Sequence, residues 1–181
     1  MLDVSESSLV AKNEELKSHL EYYNLLGKPL VEEYTKELDE KVNAVKTYLN
    51  QIKEFDLGFD VLSLQKIVID LSSTIYFTQE QVEKLGVLED MSKIKYKKAY
   101  NDAYMAKQGA ATLESRKYTA DQLRAMADTD ALEENIINFI YAHAASVLKT
   151  KIDAAYELLK AVSKCLSAEI QNTQMFLMNK S

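Results

Sequence analysis

The residues best placed to do chemistry are the cations and tyrosines between Met91 and Arg124. This stretch holds Lys93, Lys95, Lys97, Lys98, Lys107, Arg116, Lys117 and Arg124 against only Asp102, Glu114 and Asp121. Its local balance is +5 in a chain whose net charge is −6, so the remainder carries −11. A polyanion is attracted to such a segment and repelled by its surroundings. On a helix, Tyr96, Tyr100 and Tyr104 form one stripe, because residues four apart are neighbours. Lys93 and Lys107 fall beside that stripe and Lys97 at its edge. Arg116-Lys117-Tyr118 repeats the pairing of charge and ring, and Arg124 extends the track. Single-stranded nucleic acid is held in this way: cations follow the phosphates, and bases stack on rings for about 1–3 kcal/mol each. A plainer role fits the same residues. Tyrosines at helical spacing pack at the edge of a core with their hydroxyls in water, and lysines beside them solvate the face or pair with carboxylates.

Other chemistries find little support. His19 and His143 are the only histidines, and neither has a carboxylate or cysteine at metal-ligand spacing. His143, within Tyr141-Ala142-His143-Ala144-Ala145, reads as a helix-surface or interface residue rather than a base. There is no phosphate-cradling glycine loop, no Gly-x-Ser-x-Gly and no Glu-x-x-His pair. The pairs Glu14-Glu15, Glu32-Glu33 and Glu133-Glu134 sit in charged helix faces, where solvation accounts for them. Cys165 is the single cysteine, so no internal disulfide forms, and it is expected to act as a small apolar residue in an intracellular protein. No enzyme, cofactor or metal is expected. The opening Met-Leu-Asp-Val-Ser-Glu-Ser-Ser lacks the pattern of a secretory leader, and apolar runs of four or five residues are too short for a membrane span.

The elements that carry these residues follow from composition. Four glycines and one proline in 181 residues leave little material for turns, which predicts an all-α fold built from few, long helices. Residues 1–60 hold seven basic and 13 acidic side chains and read as an acidic helical hairpin. Its first helix starts near Ser5 or Ser8 and runs to Leu26, and Gly27-Lys28-Pro29 breaks it. Its second helix runs from Pro29 to about Phe55 on a stripe of Leu30, Tyr34, Leu38, Val42, Val45, Leu49 and Ile52. Residues 61–181 read as a helical core carrying the basic segment 91–124. Val61 to Leu85 is expected as a helix buried on most sides, although Ile67-Val68-Ile69 also has strand propensity. Gly86 is expected to break it, before a helix from Glu89 to Gly109. A loop follows over Ala110–Tyr118, and Thr119 caps a short helix over Ala120–Ala127.

Asp128-Thr129-Asp130 then leads into the longest helix, from Ala131 towards Met178. Its stripe is Ile136, Ile140, Ala144, Val147, Ala155, Leu159, Val162, Leu166 and Ile170, with a gap at Lys151. At 1.5 Å per residue such a helix reaches roughly 70 Å, more than a compact domain of this size needs. An elongated bundle that oligomerises through Ile136, Ile140, Val147, Leu159, Val162 and Leu166 is therefore expected.

The segment from Lys93 to about Ile170 resembles the UvsY-like recombination mediators of bacteriophages. The residues that carry the resemblance are the lysine- and alanine-rich run Lys95-Tyr96-Lys97-Lys98-Ala99-Tyr100-Asn101-Asp102-Ala103-Tyr104, a polar loop, and Ser115-Arg116-Lys117-Tyr118-Thr119 opening a short helix. The acidic break Asp128-Thr129-Asp130 and the long terminal helix complete it. The resemblance implies a small helical protein that assembles into rings in the cytoplasm of an infected bacterium. It further implies binding of single-stranded DNA and help to a RecA-like recombinase in displacing single-strand-binding protein. DNA contact carries over to Lys97, Lys98, Arg116 and Lys117. The acidic N-terminal region departs from the family pattern. The competing expectation is a helical scaffold, virion component or inhibitor that binds only proteins, with the acidic hairpin as its working surface.

Overall fold

A computed structural model describes residues 17–18, 20–55, 58–113 and 117–178. Within them every regular element is helical. A π-helical turn, Tyr23–Gly27, passes into α1 (Lys28–Phe55), which is followed by α2 (Val61–Leu113), α3 (Ala120–Asp130) and α4 (Leu132–Met178). The expected start of the first helix near Ser5 or Ser8 lies outside the described residues, as does His19. No described helix is long and apolar enough to cross a membrane. The contacts group the chain into two units, one of Met1–Leu30 with Lys84–Ala145, the other of Val31–Glu83 with Ser146–Ser181.

Three expected breaks are absent, each for a physical reason. Gly27-Lys28-Pro29 does not end a helix. The Lys28 N–H donates to the Tyr23 carbonyl five residues back, and Lys28 itself is right-handed helical at φ −64°, ψ −49°. The widened π turn takes up the extra residue where the Pro29 ring would otherwise strike the carbonyl one turn back. Gly86 and Gly109 sit inside α2 without interrupting it. A helical glycine costs only about 1 kcal/mol, and neighbouring Leu85 is fully buried. Of the loop expected over Ala110–Tyr118, residues Ala110–Leu113 are instead the end of α2.

In the first unit, α3 begins on a full capping box. The Thr119 hydroxyl accepts from Gln122 N–H at 3.2 Å, and the Gln122 side chain accepts from Thr119 N–H at 2.9 Å. Two of the four donors left open at a helix start are thereby satisfied. Asp128-Thr129-Asp130 belongs to α3, and the break is a single residue, Ala131, whose N–H bonds the Ala127 carbonyl at 3.0 Å. Ala127, Ala131, Ile140, Ala144 and Ala145 are buried together with Leu85, Leu123 and Ala111. The Ser92 hydroxyl reaches Asn138 Oδ1 at 3.1 Å, so α2 and α4 are also tied by a polar contact.

In the second unit, Asp60 caps α2: its carboxylate accepts from the Ser63 N–H at 2.8 Å and the Ser63 hydroxyl at 2.6 Å. These two bonds favour the charged form and hold Asp60 below the usual carboxylate range. Val45, Leu64 and Val162 form a buried cluster, with Tyr48, Phe59, Ile67, Leu158 and Leu166 packed around it. The gap that Lys151 leaves in the α4 stripe is filled by chemistry rather than by apolar packing. Its ammonium donates to Asp39 Oδ2 and, at 2.9 Å, to Thr35 Oγ1. Thr35 is buried on α1 because this network satisfies its hydroxyl. The expected burial of Val61–Leu85 on most sides is corrected. Leu64, Leu71 and Ile75 are buried, whereas Leu62, Ile69, Tyr76 and Phe77 are exposed.

Two glycines separate packing from propensity. A Cβ on Gly27 would lie 2.7 Å from Tyr23 Cδ2 and 3.0 Å from Ile140 Cγ2, whereas one on Gly86 meets nothing within 4 Å. Gly27→Ala is expected to lower stability by about 1–3 kcal/mol through overpacking. Gly86→Ala is expected to raise it by about 0.5–1 kcal/mol through helix propensity. Urea denaturation of the two variants, followed by helical ellipticity, checks the opposite signs.

Candidate nucleic-acid interface

The tyrosine stripe forms as spaced. On α2, Tyr96 and Tyr100 have ring centroids 6.3 Å apart, and Tyr100 and Tyr104 are 6.4 Å apart and nearly parallel at 21°. All three are half-buried, each with part of its ring open to water. An open cleft of about 470 Å³ is lined by Tyr96, Lys97, Tyr100, Asn101 and Asp128.

The cations of the segment fall into two groups. Lys107 is committed to Asp130 at 2.9 Å, and Arg124 to Asp121 one turn earlier on α3 at 3.1 Å. Lys93, Lys95, Lys97 and Lys98 are exposed and make no ion pair with a described residue. At 100° per residue, Lys93 falls in line with the tyrosine stripe, one turn before Tyr96, and Lys97 at its edge, while Lys95 and Lys98 lie on other sides of α2. The four therefore collar the helix instead of forming one row. Lys117 is exposed just ahead of the Thr119 cap, with Tyr118 half-buried beside it. Arg116 lies outside the described residues.

Two carboxylates of α3 enter the site without having been expected there. Asp128 accepts from the Tyr96 hydroxyl at 3.2 Å, and Asp130 takes Lys107. Their signal in the sequence is present but ambiguous, since two aspartates at a helix end read equally well as a stop. Burial, seconded by the bond to Asp128 and its negative charge, raises the Tyr96 pKa above its ordinary value. The contribution to stability is thus complete below pH 10 and is lost as pH rises through the raised value. Two residues of the α4 stripe expected to oligomerise are buried within the chain. Ile140 and Val162 are buried, Leu166 packs on the Val45–Leu64–Val162 cluster, and Ile136, Val147 and Leu159 are half-buried.

An apolar groove of about 570 Å³ in the same unit is lined by Leu20, Tyr23, Leu132, Ile136, Phe139 and His143, among others. There the His143 ring stacks on Phe139 at 6.1 Å and meets Tyr23 edge-on at 5.1 Å. Among the described residues no group of three or more metal-binding side chains occurs.

Asp128→Ala is expected to lower the pKa of Tyr96 without returning it to the ordinary value, because burial is the larger cause. Absorbance titration at 295 nm, with Tyr96→Phe to identify the step, checks this. Compared with known proteins, the chain matches no family model, no curated protein and no solved structure.

Proposed function

We propose that the chain is a non-enzymatic single-stranded DNA-binding protein that acts as a recombination mediator of a phage. The observation that supports this reading is the half-open Tyr96–Tyr100–Tyr104 ladder beside Lys93 and Lys97, which are exposed and without a carboxylate partner among the described residues. Phosphates run past the ammonium groups while bases lie on Tyr100 and Tyr104. Lys95, Lys98 and Lys117 add to the attraction from other directions. Asp128, Asp130 and the acidic remainder work against it, so binding is modest and salt-sensitive. The mediator role itself, with its RecA-like recombinase and single-strand-binding protein as partners, rests on the resemblance of residues 93–170 to UvsY-like proteins. A second reading, a helical scaffold that binds only proteins, is favoured by the exposed Leu20, Leu25, Leu26 and Phe139.

Fluorescence anisotropy with a labelled single-stranded oligonucleotide separates the two. Lys93→Ala with Lys97→Ala is expected to weaken binding at low salt and to reduce the slope of log affinity against log salt by about 1.4, two phosphate contacts at about 0.7 each. Tyr100→Ala is expected to cost about 1–3 kcal/mol at every salt concentration. Affinity unchanged in both variants would reject the interface and leave the scaffold reading.

A further inference from the structure

The outward side of α2 in the second unit is apolar and has no apolar partner among the described residues. Leu62, Ile69 and Tyr76 are 74%, 67% and 61% exposed, while Leu64, Leu71 and Ile75 on the other side of the helix are buried. The three exposed residues recur every seven positions. Single apolar side chains on a surface are ordinary, but a row repeating every seven residues supplies one of the two positions of a helix–helix seam; the other is held here by the polar Gln65, Ser72 and Gln79. Phe77 widens the row, its ring edge-on to Tyr76 at 5.7 Å.

We infer that this face pairs antiparallel with the same face of a second copy of the chain, about a two-fold axis passing between Ser72 and Ser73. Closed pairs of identical chains use one self-complementary patch; about this axis Ile69 and Tyr76 are symmetry mates, while Leu62 falls level with the exposed Glu83. The axis sets Ile69 of each copy level with Tyr76 of the other. It also brings Lys66 within one residue, about 1.5 Å of helical rise, of the level of the opposing Glu80 and on the same flank. Lys66 and Glu80 are both exposed, and neither makes an ion pair with a described residue. A parallel pair in register would instead set Lys66 level with Lys66 and Glu80 level with Glu80. At the centre, Ser72 and Ser73 are small enough for two helices to approach closely. The Ser72 hydroxyl already donates to the Val68 carbonyl at 2.6 Å, so covering it strands no donor. Charge complementarity and heptad spacing thus select the same partner, independently of any nucleic-acid role.

The test is sedimentation equilibrium of the full chain between 1 and 100 µM, roughly the range in which a seam of this kind associates. The unaltered chain is expected to form a dimer. Ile69→Lys, at an exposed position and with helicity checked by circular dichroism, is expected to weaken that dimer at least tenfold. Lys66→Glu and Glu80→Lys are each expected to weaken it about threefold, and the two together to restore it. A monomer throughout the range, a dimer indifferent to Ile69→Lys, or a double charge exchange no better than the single ones would overturn the inference.

Discussion

Burial of one stripe along α4 is the constraint from which the other arrangements follow. The helix gives Ile140, Ala144 and Ala145 to the core of the first unit, and Leu148, Ile152, Ala155 and Val162 to the core of the second. Alanine dominates the first set, and Ala127 and Ala131 of the same unit are also buried. Larger aliphatic side chains dominate the second, where α1 and the start of α2 supply Val45 and Leu64. Each unit therefore closes on a different kind of surface, although one continuous helix supplies both. Where the stripe is interrupted at Lys151, Asp39 and Thr35 provide a charged and a polar partner. Among the described residues no buried side-chain polar atom is left without a hydrogen bond.

That economy shapes the candidate interface. The tyrosines at positions 96, 100 and 104 sit where the inner face of α2 meets water, so each ring is half available and half structural. The carboxylates of α3 reach the same edge and divide the cations. Lys107 and Arg124 are neutralised locally, while Lys93 and Lys97 keep their charge facing solvent. The net +5 of the segment therefore overstates the field that a phosphate chain would feel.

Much of the architecture was legible in the residues. The shortage of glycine and proline announced long helices, Thr119 marked the start of α3, and the steps of three and four along α4 marked its inner face. What escaped was of two kinds. The break expected at Gly27-Lys28-Pro29 did not occur because a π turn accommodates the proline, and the one at Gly86 did not because a helical glycine costs only about 1 kcal/mol beside the buried Leu85. The buried side of α2 was also not readable from apolar content alone. Leu62, Ile69 and Tyr76 are as apolar as Leu64, Leu71 and Ile75, and periodicity cannot tell which of two such rows faces inward. For the interface, the lysines and tyrosines were visible, but their pairing with Asp128 and Asp130 depends on how α3 lies against α2. Spacing in the chain does not encode that contact.

The joint at Ala131 has a consequence for how this chain can change length. A helix advances 100° with each residue, and only one buried residue separates α3 from α4. Inserting or deleting an amino acid there would swing the alanine row of α4 by more than a quarter turn, from the interior towards water. Natural variants of this chain should thus keep an invariant residue count across the α3–α4 joint.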